Sequence, residues 1–171
     1  MLTLQHIRTL LPKGVYTVSI DLADAHWHLP MSRPFSSYLG FKLQKKKFVF
    51  RAMPFELNTF PRIFMKLADT IIQQLRSEGV QVTAYLDDWL VWAASKTTCV
   101  QAVNKVIHFL EHLGFKINRK KSRLSPAQQF QWLRIQWYLK SHHLSVPSKK
   151  RKEIAGSVRR LIRHKRISRR Q

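Results

Sequence analysis

The chain has 171 residues, 44% hydrophobic and 11% aromatic, with 31 Lys and Arg against 9 Asp and Glu, a formal net charge of +22. That much apolar material supports a core and excludes wholesale disorder; no apolar run approaches the ~20 residues that span a bilayer, and no basic-then-apolar secretory signal opens the chain. A single cysteine, Cys99, excludes an internal disulfide, and the charge calls for a polyanion, with nucleic acid the leading class because phosphates release counterions on binding. The expectation is an intracellular protein, cytoplasmic or nuclear and not secreted, with no membrane partner.

In chain order, residues 15–20 are β-branched and aromatic and predict a strand, and residues 48–50 predict another. From 62 to 78, Ile63, Phe64, Leu67, Ala68, Ile71, Ile72 and Leu75 recur at helical spacing and Gly79 ends the run. Residues 80–86 and 89–93 predict two strands joined at Asp87-Asp88, which is hairpin spacing. Ser95 can cap a helix carrying Val100, Val103, Val106, Ile107, Leu110 and Leu113, stopped by Gly114. Short strands are predicted at 115–117, 130–137 and 144–146. Ser148 can cap a last helix, with Ile154, Val158, Leu161 and Ile162 as a narrow apolar stripe. Between 149 and 170 stand eleven bases and one acid, Glu153. This order predicts an α+β fold, an antiparallel sheet with helices on one face.

Three of the nine acids hold telling places. Asp21 follows the first strand directly. Asp87 and Asp88 sit between two strands, flanked by apolar Tyr85, Leu86, Trp89 and Leu90. Adjacent carboxylates beside apolar surface are costly to keep ionised unless cations are near. If the strands are neighbours in one sheet, the three carboxyls converge at one edge. Carboxylate oxygens suit Mg²⁺, which is completed by waters and substrate phosphates and serves in-line phosphoryl transfer. An ordinary turn is the other reading, since Asp is common in turns for its backbone hydrogen bonds.

Five segments, in order over residues 15–137, resemble one family. Tyr85-Leu86-Asp87-Asp88-Trp89 resembles the YxDD hairpin of reverse transcriptases. Residues 19–30 are similar to the strand carrying that family's first catalytic aspartate. Residues 53–64 resemble the segment opening its long palm helix, residues 113–122 its later motif ending in a lysine, and residues 130–135 its primer-grip hairpin. The wording is nearest to retrotransposons of the DIRS and Gypsy groups. The resemblance implies a palm of ferredoxin-like topology over 15–147, a truncated remnant at 1–14 and a basic helical tail at 148–171 leading to a connector. It implies RNA-directed DNA polymerase chemistry with Mg²⁺, or Mn²⁺ in its place, on an RNA template, a DNA primer and deoxynucleoside triphosphates. Asp21, Asp87 and Asp88 match the catalytic and metal-binding triad. Leu22 would offer a backbone carbonyl to the metal. Ala23, Asp24, Ala25 and His26 match the floor under the incoming nucleotide, with His26 where the family carries a Tyr or Phe. Lys121 matches the late lysine, a proton donor or phosphate contact.

Two features compete with this reading. His108, Glu111 and His112 fit an H-x-x-E-H zinc peptidase pattern, but the stripe of Val103, Ile107 and Leu110 leaves both histidines largely on the solvent side. Four positions also depart from the family: His26, Glu56 for Gly, Phe60 for Ala and Arg134 for Gly. Only about twenty residues precede Asp21, so the expectation is a partial, degenerate copy with impaired activity. The alternative is a non-enzymatic, basic nucleic-acid-binding remnant of the same domain.

Overall fold

A computed structural model of the chain describes residues 4–54 and 57–163. Its elements run α1 (Leu4–Leu10), β1 (Tyr16–Asp21), α2 (Arg33–Ser36), β2 (Gly40–Leu43), β3 (Lys46–Val49), α3 (Phe60–Ser77), β4 (Gln81–Tyr85), β5 (Asp88–Ala93), α4 (Lys96–His112), β6 (Arg123–Ala127), β7 (Gln129–Trp132), β8 (Ile135–Tyr138), β9 (His143–Ser145) and α5 (Ser148–Arg163). A 3-10 turn at Ala25–His28 follows β1. The central sheet has the order β4-β5-β1-β6 with antiparallel neighbours throughout.

The strands at its centre are buried on both faces, and alternation sorts their side chains into two cores. Val18, Ile20, Trp89, Val91, Val82 and Ala84 join the core under α3 and α4. Leu90 and Trp92 point the other way, into a second core with Ile7, Leu11, Phe130, Trp132 and Trp137. The two long helices therefore share one face, as expected of the α+β layering. The opposite face is covered by α1 and the small sheet β7-β8-β9.

Local chemistry explains the helix ends. Phe60, Phe64, Ala68, Ile71, Ile72 and Leu75 form the buried stripe of α3. Gly79 takes φ 81, and the Val80 N–H donates to the Leu75 carbonyl at 3.0 Å, closing the helix. Ser95 Oγ accepts from the Thr98 N–H at 3.1 Å and caps α4, as predicted.

Several boundaries differ from the sequence reading. The turn between β4 and β5 is Leu86-Asp87, because Tyr85 pairs with Asp88. Asp88 is thus the first residue of β5 and not a turn residue. Residues 130–137 are not one strand but a hairpin, β7-β8, reversed at Leu133 and Arg134, both at positive φ. Residues 115–117 make only an isolated bridge, Leu22 to Ile117. Strand β6 was not expected; its Pro126 and charged Arg123 hide the pattern of an edge strand. Glu56 and residues 164–171, with four of the tail's bases, lie outside the described residues.

Candidate active site

Asp21 ends β1, and its direct cross-strand partner is Asp88. The Leu22 N–H donates to the Asp87 carbonyl at 3.0 Å, locking the two strand ends together. Register therefore brings Asp21, Asp87 and Asp88 to one edge, as the motif order predicted. The turn itself is supported from below, where the Leu86 N–H donates to Met65 Sδ of α3 at 3.2 Å.

A second loop holds Asp21 from the other side. Its N–H donates to Ser122 Oγ at 3.0 Å, and its carbonyl accepts from the Asn118 N–H at 2.8 Å. The Ser122 hydroxyl in turn donates to the Asn118 carbonyl at 2.8 Å. Asn118 and Ser122 lie inside the segment ending near Lys121, but their role was not legible; only folding brings them against residue 21. Both backbone groups of Asp21 are thus committed.

The electrostatics are those of crowded carboxylates. Burial raises the Asp21 carboxyl above the ordinary range; Lys121 opposes the shift, Asp87 adds to it, and a hydrogen bond from the Asn118 side chain opposes it. Burial, then Asp87, then Asp21, push Asp88 up to about 6, with Lys121 again opposing. Asp21 Oδ1 is buried and has no hydrogen-bond partner. An acceptor of this kind, beside two more carboxyls, is suited to a cation. Among the described residues, no three His, Cys, Asp or Glu side chains close around a cation by themselves. The donor set nonetheless fits Mg²⁺, which binds through one or two carboxylates and takes its remaining oxygens from water and phosphate.

Asp87 and Asp88 line a concavity of about 750 Å³ together with Lys121, Arg123, Trp132 and Arg134, while Asp21 does not reach its wall. Arg134 has φ 61, a conformation natural to glycine, so the departure at this position places a charged side chain on strained backbone at the rim of the site. Lys121 is exposed, and its charge acts on both Asp21 and Asp88. Leu22 is buried, and the Ala23 N–H donates to the Lys116 carbonyl at 2.8 Å. Asp24 is exposed at φ 49, Ala25 is buried, and His26 lies between Trp27 at 4.8 Å and Phe60 at 6.2 Å. Phe60 is itself buried against Phe64, which absorbs a ring where the family has Ala.

The competing zinc pattern does not assemble. His108 and His112 are exposed on α4, and the Glu111 carboxylate accepts from Arg119 at 3.2 Å. Cys99 is fully buried, with its thiol directed at the Tyr16 carbonyl and its pKa raised by burial, a packing residue.

Comparison with known proteins gives the family and the fold. The model of the family described as reverse transcriptase (RNA-dependent DNA polymerase) matches residues 2–137. Protein P of a duck hepatitis B virus is 25% identical over 159 residues, 92% of this chain and 20% of the relative. The chain thus spans about a fifth of the length of the curated relatives it matches. A foamy viral protease-reverse transcriptase in complex with double-stranded DNA superposes with a TM-score of 0.77 at 19% identity, over 88% of this chain and 25% of the other. The same viral enzyme with an RNA/DNA hybrid gives 0.72 at 19% identity, over 88% and 20%. These likenesses show the fold.

Proposed function

The chain belongs to the reverse transcriptase (RNA-dependent DNA polymerase) family, and from that premise we propose that it is the catalytic palm of an RNA-directed DNA polymerase. The observation that carries the reading is the pairing of Asp21 with Asp88 beside Asp87, with Asp21 Oδ1 buried and unpartnered. Residues 15–147 form the palm and 148–171 a basic tail leading onward.

Asp21 and Asp87 would hold Mg²⁺, or Mn²⁺ in its place, with Asp88 beside them and the Leu22 carbonyl in support. When bound, the ions would neutralise the carboxyls and supply Lewis-acid stabilisation to the attacking and leaving oxygens of an in-line phosphoryl transfer. Asn118 and Ser122 keep the Asp21 backbone fixed, so its carboxyl is presented without reorganisation. Ala23, Asp24, Ala25 and His26 lie next along the chain, where a nucleotide would rest, and Lys121 offers a positive charge to its phosphates. The template is RNA, the primer DNA and the substrate a deoxynucleoside triphosphate. The motif wording supports a retrotransposon source, while the relatives compared are viral.

Arg134 on strained backbone at the rim supports reduced activity in this copy, and a net charge of +22 would preserve nucleic-acid binding even without catalysis. Primer extension with Mg²⁺ or Mn²⁺, on this chain and on a longer form of its protein, tests the proposal. Weak extension by the chain, stronger extension by the longer form and loss of both in Asp87→Asn support it. Extension that survives Asp21→Asn and Asp87→Asn refutes the assignment. Salt-sensitive binding with no extension by either form selects the binding remnant.

A further inference from the structure

Between residues 25 and 55 the chain has six bases, Arg33, Lys42, Lys45, Lys46, Lys47 and Arg51, and no acid. Four of them sit on the β2-β3 hairpin, all eight of whose strand residues are exposed. Register sets Phe41 opposite Phe48 and Lys42 opposite Lys47. The two rings therefore share one face, and two like charges oppose each other on the reverse. Phe41 and Phe48 lie 5.5 Å apart with planes at 21°. Phe50 is 4.9 Å from Phe41, and Trp27 stacks on Phe50 at 6.3 Å and 26°. The result is a four-ring ladder in which Trp27, Phe41 and Phe48 are 52%, 41% and 42% exposed. Leaving these rings in water and setting Lys42 against Lys47 both cost stability. None of the ion pairs among the described residues includes a lysine of this hairpin.

We propose that the β2-β3 hairpin, with Trp27, is a binding platform for single-stranded nucleic acid. Unpaired bases have open π-faces that continue the ladder from Phe48, the end away from the His26 ring beside Trp27. Phosphates reach Lys46 on the ring face and Lys45 at the turn. A duplex has already spent its base faces on internal stacking, so only its phosphates would be bound here. Trp27 shares its turn with His26, so a strand on the ladder enters beside the segment that follows Asp21. Reading that strand as template rests on the polymerase proposal; affinity for single strands does not.

Fluorescence anisotropy with labelled oligo-dT and oligo-rU, titrated at several salt concentrations, tests the platform. Phe41→Ala with Phe48→Ala is expected to weaken binding about tenfold or more with little change in salt slope. Lys45→Gln with Lys46→Gln is expected to flatten the slope by about 1.4, two phosphate contacts at ~0.7 each. All four residues are exposed, and unchanged melting temperatures establish that the variants fold. Parental affinity in the ring variant overturns the proposal. So does an equal loss on blunt duplex, or ring-dependent binding to phosphatidylserine vesicles in preference to oligonucleotide. Asp87→Asn is expected to keep oligonucleotide binding, so failure of the polymerase reading and failure of the platform give different results.

Discussion

Two hairpins of this molecule have the same pairing and opposite surroundings. Both β4-β5 and β2-β3 are antiparallel with two-residue turns, Leu86-Asp87 and Gln44-Lys45. In β5, Trp89, Leu90, Val91 and Trp92 are buried at 3% exposure or less. In β2 and β3 every residue is exposed. Ladder hydrogen bonds are common to both, so they do not explain the difference in role. Burial on both faces pins β5 to one register and carries Asp88 to a fixed point beside Asp21. The exposed hairpin fixes nothing in the core and has side chains to spare for a ligand.

The largest expected effect breaks that contrast directly. Trp89→Ala removes a fully buried ring from the first core and should destabilise by about 3–5 kcal/mol. Phe48→Ala, the aromatic counterpart on the exposed hairpin, should stay within about 0.5 kcal/mol. Urea denaturation of the two variants measures both, and comparable losses would show that β2-β3 is part of the folding unit after all.

Asp88 sharpens the contrast through pH. Its folded-state pKa of about 6 lies above the ordinary 3.8, so the folded chain holds this proton more tightly than the unfolded chain. Its contribution is most favourable below pH 4 and is lost as pH rises through 6. Asp88→Asn should therefore match the parent near pH 4 and exceed it by about 1–2 kcal/mol at pH 8, a range reduced for solvent screening. Melting curves at the two pH values check the sign, and an Asn variant less stable at pH 8 would contradict it.

Ser122→Ala removes the acceptor of the Asp21 N–H and should cost about 1 kcal/mol. Its loss of primer extension should exceed that of a surface serine such as Ser77→Ala, because Ser122 positions Asp21. The smallest effect is expected at the exposed turn. Gln44 and Lys45 stand at φ 47 and 67, where Asn-Gly is favoured. Gln44→Asn with Lys45→Gly should raise stability by a few tenths of a kcal/mol, read as a small rise in melting temperature.

Much of the core was legible in the sequence because it is periodic. The stripe of α3 follows the 3.6 repeat of a helix buried on one face, and β4 and β5 are short continuous runs of the kind that burial on both faces imposes. The hairpin β7-β8 was legible only through its resemblance to the primer-grip hairpin and not from residue pattern, because its reversal falls on Leu133-Arg134 and not on residues that favour positive φ. Strand β6 was missed for a related reason: an edge strand carries no continuous apolar pattern. Helix α1 is short, yet Ile7 is buried in the second core. Only packing reveals this, because one apolar residue per turn over seven residues is too faint a period to read.

What the sequence determined by itself is the chemistry at hand: a basic chain, three acids at strand ends, and motifs whose order identifies a family. Those properties are local, set by residue type and spacing. What tertiary structure decided is neighbourhood. Asp21 and Asp88 are 67 positions apart and become partners only through β1-β5 register. Ser122 reaches Asp21 from 101 positions away. The turn moved by one residue, to Leu86-Asp87, because pairing put Tyr85 opposite Asp88. A one-residue slip would turn every side chain of β5 to the wrong face, exchanging Trp89 and Val91 with Leu90 and Trp92 between the two cores. Register is therefore chosen by the whole packed sheet, and the position of the carboxyls follows from it.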